Sequence, residues 1–91
     1  MYFYRYTGRE DFELIKVRVF PIAGPPATVG ATLHRVGPGH RDLEVDGRIG
    51  SVQERLEAAK SLSLQYAVPY RVELDGMTWD EDWGRITDAP R

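Results

Sequence analysis

Two imidazoles, His34 and His40, flank a Gly37-Pro38-Gly39 turn, with Asp42 and Glu44 just beyond it. An imidazole beside a carboxylate is the base and orienter of a nucleophilic triad, so His34 with Asp42 or Glu44 is the catalytic candidate. The third member is missing. Ser51 falls where a helix is capped and Ser61 and Ser63 fall inside it, and none sits in a Gly-x-Ser-x-Gly elbow. His34, His40 and Asp42 together offer two nitrogens and a carboxylate to zinc, but at a spacing that matches no established ligand pattern. With no cysteine in the chain, thiolate chemistry, disulfides and Cys-based metal sites drop out together. The reading favoured here is a cross-strand charged pair on the wet face of a sheet, with His40 in solvent, no metal and no cofactor.

Anion and acid–base chemistry are no better supplied. Gly24 to Gly30 lacks the Gly-Lys-Ser/Thr ending of a phosphate loop. Gly47-Arg48-Ile49-Gly50-Ser51 runs into a helix start whose free N–H groups attract anions. Ser51 and Glu54 already answer those donors, and Glu54 repels an anion. Asp42, Glu44 and Asp46 lie on an open strand face, and consecutive Asp80, Glu81 and Asp82 point apart. No catalytic set emerges, and the chain reads as non-enzymatic.

Two clusters remain that suit binding. Tyr2, Tyr4 and Tyr6 alternate along one strand face, and Lys16 and Arg18 on the next strand would interleave cations with them, as single-strand nucleic-acid binders do. Trp79, Asp80, Glu81, Asp82 and Trp83 combine large aromatics with carboxylates, a composition suited to docking on a basic protein surface. Charge favours the second. The chain has a net charge of -2; residues 1–50 carry +1 and residues 51–91 carry -3. A uniformly cationic nucleic-acid binder is disfavoured, which leaves a local basic face open.

These residues need elements to position them. A chain of 91 residues has room for one core. Tyr2–Tyr6 alternates as a strand, and Phe12–Phe20 follows with Ile15, Val17 and Val19 on one face against Lys16 and Arg18 on the other. The two are expected to form a hairpin. Pro21–Pro26 breaks the pattern. A third strand over 28–36 turns Val29, Ala31 and Leu33 inward, and a fourth over 42–46 turns Leu43 and Val45 inward. Leu33 and Val45 share a face only if paired residue numbers have an even sum, which puts His34 opposite Asp42 or Glu44 through an odd loop such as Gly37–Gly39.

Ser51-Val52-Gln53-Glu54 opens a helix over 51–67 as a capping box. Its core stripe is Val52, Leu56, Ala59, Ser63 and Tyr66, and Pro69 stops it. Tyr70–Leu74 is a fifth strand, able to complete a crossover beside the fourth. Met77–Trp79 returns after Asp75-Gly76 as a short edge strand. The expected fold is a single α+β domain over 1–79, ordered β-β-β-β-α-β(-β). Its antiparallel or mixed sheet has four to six strands with one helix packed on one face. Residues 80–91 form an acidic, irregular end.

Nothing in the chain approaches the roughly 20 apolar residues of a membrane span, and its start has no apolar signal region. A cytoplasmic setting fits. The leading expectation is a small protein-interaction domain, an inhibitor or adaptor whose acidic, Trp-containing surface meets a basic partner. Anti-CRISPR, anti-restriction and immunity proteins are similar to it in general build alone. The alternatives are a nucleic-acid module using the tyrosine row and a small enzyme or subunit using His34. An open sheet edge would also permit a homodimer.

Overall fold

Alternating apolar residues commit each strand to one inward face, and the pairings follow in the computed structural model, which describes residues 2–38, 42–45 and 48–88. The chain is a small α+β domain with strands β1 (Tyr2–Tyr4), β2 (Leu14–Ile22), β3 (Thr28–Val36) and β4 (Leu43–Glu44). Helix α1 (Val52–Tyr66), β5 (Tyr70–Leu74), a 3-10 turn (Glu81–Trp83) and β6 (Arg85–Thr87) complete it. Four strands form one sheet in the order β4-β3-β2-β5, and β1 and β6 form a second, two-stranded one. A single bridge, Arg5↔Val72, and a Tyr6 N–H to Val72 C=O bond of 2.7 Å join the two.

α1 packs on the face that carries Ile15, Val17, Val19, Ala31, Leu33 and Val72, all buried. Val52, Leu56 and Ala59 are its contribution. Burying each branched side chain here is worth about 1.5–3 kcal/mol. Ser51 caps the helix by accepting from the Glu54 N–H at 3.2 Å, while the Glu54 carboxylate takes up Arg55. Ala67 ends it in the left-handed conformation, φ 56°, with its N–H returning to the Ser63 carbonyl. Tyr66 leaves the core stripe and is exposed, its ring beneath the Arg35 guanidinium.

Several expectations need correction. The tyrosine strand does not make a hairpin with β2: β1 runs parallel to β6, with Phe3 opposite Ile86. A three-residue strand gains more from burying Phe3 against Tyr70 and Trp79 than from a local turn. Residues 77–79 form no strand, and the last strand lies in the segment expected to be irregular. The crossover through α1 lands beside β2, not β4, with Val17 opposite Val72.

The even-sum register of β3 and β4 holds, His34 pairing with Glu44. However, β3 stops at Val36 and β4 spans only Leu43 and Glu44. Val29 and Leu43, both expected inside, are exposed. Gly39, His40, Arg41, Asp46, Gly47 and residues 89–91 lie outside the described residues, as do the expectations placed on them.

β2 and β3 outrun their neighbours. β5 stops pairing at Val19↔Leu74, and Gly50 bridges β3 at Ala31, so residues 20–30 continue as a two-stranded arm. From Val19 to Leu33 the sequence holds no charged residue.

Candidate functional site

The C-terminal cluster separates into an inner and an outer half. Trp79 is 8% exposed and belongs to the core, its ring tilted 59° against Phe3 with centroids 5.6 Å apart and meeting Trp83 edge to face at 5.1 Å. Its indole Nε1–H donates to the Gly84 carbonyl at 2.9 Å, which ties the far end of the turn to the domain interior. Asp80 caps that turn: its side chain accepts from the Asp82 N–H at 2.9 Å, and its carbonyl accepts from the Trp83 N–H. Gly84, at φ 121°, takes a conformation that side chains resist and redirects the chain into β6. The carboxylates of Asp80, Glu81 and Asp82 are left exposed on a pinned surface.

Beside this turn runs a cleft of about 350 Å³, between the start of α1 and Trp83. Phe3, Leu56 and half-buried Trp83 give it an apolar lining, and Gln53, Glu57 and Asp82 a polar one. Gln53, Leu56 and Glu57 reach it together because positions three and four apart share a helix face. Among the described residues no Lys, Arg or His lines it. Sequence reasoning missed Phe3, Leu56 and Glu57 here, since nothing in the chain signals that β1 and the turn meet α1.

His34 and Asp42 do come together. On the sheet face opposite α1, His34 Nδ1 lies 2.6 Å from Asp42 Oδ1 and its Nε2 lies 2.8 Å from the Thr32 hydroxyl. Glu44 is the ladder partner of His34, but Asp42 makes the side-chain bond. Lys16 extends the network: its ammonium binds Asp42, lies 3.3 Å from Glu73 and sits over the Tyr6 ring at 5.0 Å. Burial works against charge on Lys16, and the two carboxylates overcome it and raise its pKa. Burial likewise pushes the Asp42 carboxyl up, but Lys16 and His34 prevail and hold it below its ordinary range.

Thr32, His34 and Asp42 thus align a hydroxyl, an imidazole and a carboxylate. The bonding order is that of a nucleophilic relay. Thr32 is only 6% exposed, and the open polar depression beside it is lined by Lys16, His34, Asp42 and Glu73, not by the hydroxyl. The arrangement satisfies buried polar groups. Its spacing was visible in the sequence, since residues two apart on a strand share a face. Among the described residues no group of three His, Asp or Glu is placed to hold a metal ion, and His40 lies outside them.

The tyrosine row is only partly assembled. Tyr6 meets Lys16, but Tyr2 and Tyr4 follow β1 to β6, where Tyr2 pairs with Arg85 and is 66% exposed. Arg18 binds Asp75, with its Nε at 2.9 Å, and lies over Phe20. Both cations expected to interleave with the tyrosine row are therefore engaged by carboxylates. No helix among the described residues is long and apolar enough to cross a membrane.

Scans against protein-family models, curated proteins and solved structures find no match to this chain.

Proposed function

We propose that this chain is a small non-enzymatic protein-interaction domain, an inhibitor or adaptor that docks its acidic C-terminal surface on a basic partner. One observation carries the reading: Asp80, Glu81 and Asp82 stand exposed on a turn fixed from within by the Trp79 bond to Gly84. A preset turn lowers the ordering cost of binding, and like-signed carboxylates steer a cationic surface toward it. Trp79 serves this surface from beneath, while Trp83 is the aromatic within reach of a partner.

The test is a tagged pull-down from lysate of the native host, with and without nuclease, repeated with Glu81→Lys. A stoichiometric protein that survives nuclease and is lost with Glu81→Lys supports the reading. A protein retained equally by that variant counts against the acidic turn. Recovery of nucleic acid alone would move the assignment to Tyr2 and Tyr4.

A further inference from the structure

Resting on that docking reading, we infer that the cleft between α1 and the 3-10 turn receives one arginine side chain of the partner. The occupant follows from the chemistry of the walls. Half-buried Trp83 offers an indole to a flat cation, over a floor made by the buried side chains of Phe3 and Leu56. Glu57 and Asp82 are exposed carboxylates on opposite elements, one on α1 and one on the turn. Among the described residues, neither has an ion-pair partner and no cation lines the cleft.

Arginine fits this frame better than lysine. Its guanidinium is planar, stacks on an aromatic face and presents donors in several directions at once, so one group can lie on Trp83 and reach both carboxylates. An ammonium is a compact, strongly hydrated point charge and gains less from the indole. The cleft volume of about 350 Å³ is that of a small ligand site. Arg85, which follows the turn, is placed on β6 and lines a separate depression with Tyr2 and Glu81.

The probe is N-acetyl-arginine amide, titrated into the isotope-labelled full chain and followed by the two indole N–H resonances. N-acetyl-citrulline amide, nearly isosteric but uncharged, and N-acetyl-lysine amide are titrated in parallel. The expected result is a saturable shift of the Trp83 resonance with arginine, at a dissociation constant of roughly millimolar or weaker. Lysine binds more weakly, and citrulline at least about tenfold more weakly, as a lost charge contact requires. The Trp79 resonance, bonded to Gly84, moves less.

Glu57→Gln with Asp82→Asn should remove the arginine response while leaving the dispersion of the spectrum intact, because both groups are exposed. Equal responses to citrulline and arginine, no saturable shift, or an unchanged response in the double variant would each overturn the inference. Glu57 lies outside the acidic turn and Glu81 outside the cleft, so the two ideas separate. If Glu81→Lys abolishes partner capture while the arginine titration stays blank, the docking reading stands and the cleft assignment fails.

Discussion

Trp79 and Trp83 meet edge to face with ring centroids 5.1 Å apart, yet only Trp79 is buried. Their four-residue spacing turns one indole into the core and leaves the other at the rim of the cleft. Trp79→Ala should therefore cost about 3–5 kcal/mol of stability, the range for emptying a large aromatic from a core. Trp83→Ala should cost about 0.5–1.5 kcal/mol, little more than the lost ring pair. Urea unfolding of the two variants measures both, and equal losses would contradict the division of labour.

Acid should weaken the fold through Asp42 and Glu10. For Glu10, burial raises the pKa, and hydrogen bonds from Thr7 together with Arg71 more than reverse it. Both carboxyls therefore sit below their ordinary values of 3.8 and 4.5. Their stabilisation is complete above those values and is lost as pH falls through the lower folded ones, where the unfolded chain binds more protons. Lys16 acts at the other extreme, since its raised pKa makes stability fall as pH climbs beyond 10.5 and through its folded value. Urea midpoints recorded from neutral pH downward should drop most steeply in the carboxylate range. Asp42→Asn should lower the neutral-pH midpoint and flatten that slope.

Pro21 should act as an edge guard. The Ile15 N–H donates to Pro69 and the Val19 carbonyl accepts from the Asp75 N–H, so odd residues of β2 turn their main chain toward β5. Beyond Val19, β5 has ended, and position 21 faces an open edge with no N–H to offer. Pro21→Thr restores that donor in the middle of an uncharged arm. Sedimentation should then show concentration-dependent association stronger than that of the parent chain, and Val29→Lys added to Pro21→Thr should suppress the increase. A strictly monomeric Pro21→Thr variant would show that the proline is incidental.

Reversal of Glu81 and Asp82 to Lys should leave stability within about 0.5 kcal/mol, because neither side chain is buried. Association with the captured partner should slow, and its dependence on salt should flatten. Binding kinetics at low and high ionic strength report both. An unchanged association rate would remove the steering role.

Much of the sheet is legible in the chain because alternation states its faces directly. Ile15, Val17 and Val19 predict β2, and the match of 28–36 to β3 is complete. The His34–Asp42 contact follows from the same parity. What is not legible is the partnership of β1 and β6, since a parallel pair of three-residue strands leaves no turn between them and no periodicity long enough to read. The burial of Lys16 is hidden for a related reason: alternation places it on the polar face, and only the folded chain brings Tyr6, Asp42 and Glu73 around it. The cleft inherits this limit, because β1 and the 3-10 turn bring walls to it from opposite ends of the chain.

The β1–β6 pairing has a kinetic meaning. Tyr2 lies beside Arg85 and Arg5 beside Thr87, contacts that span nearly the whole chain, whereas the nine-residue ladder of β2 and β3 closes through a short loop. The entropy of closing so large a loop delays its reward, so the hairpin, α1 and β5 are expected to assemble first and the chain ends to lock last. The β1–β6 pair is thus expected to open before the four-stranded sheet, while the Trp79 bond to Gly84 keeps the acidic turn tied to the core. Amide exchange at residues 2–6 and 84–87 should then run ahead of global unfolding.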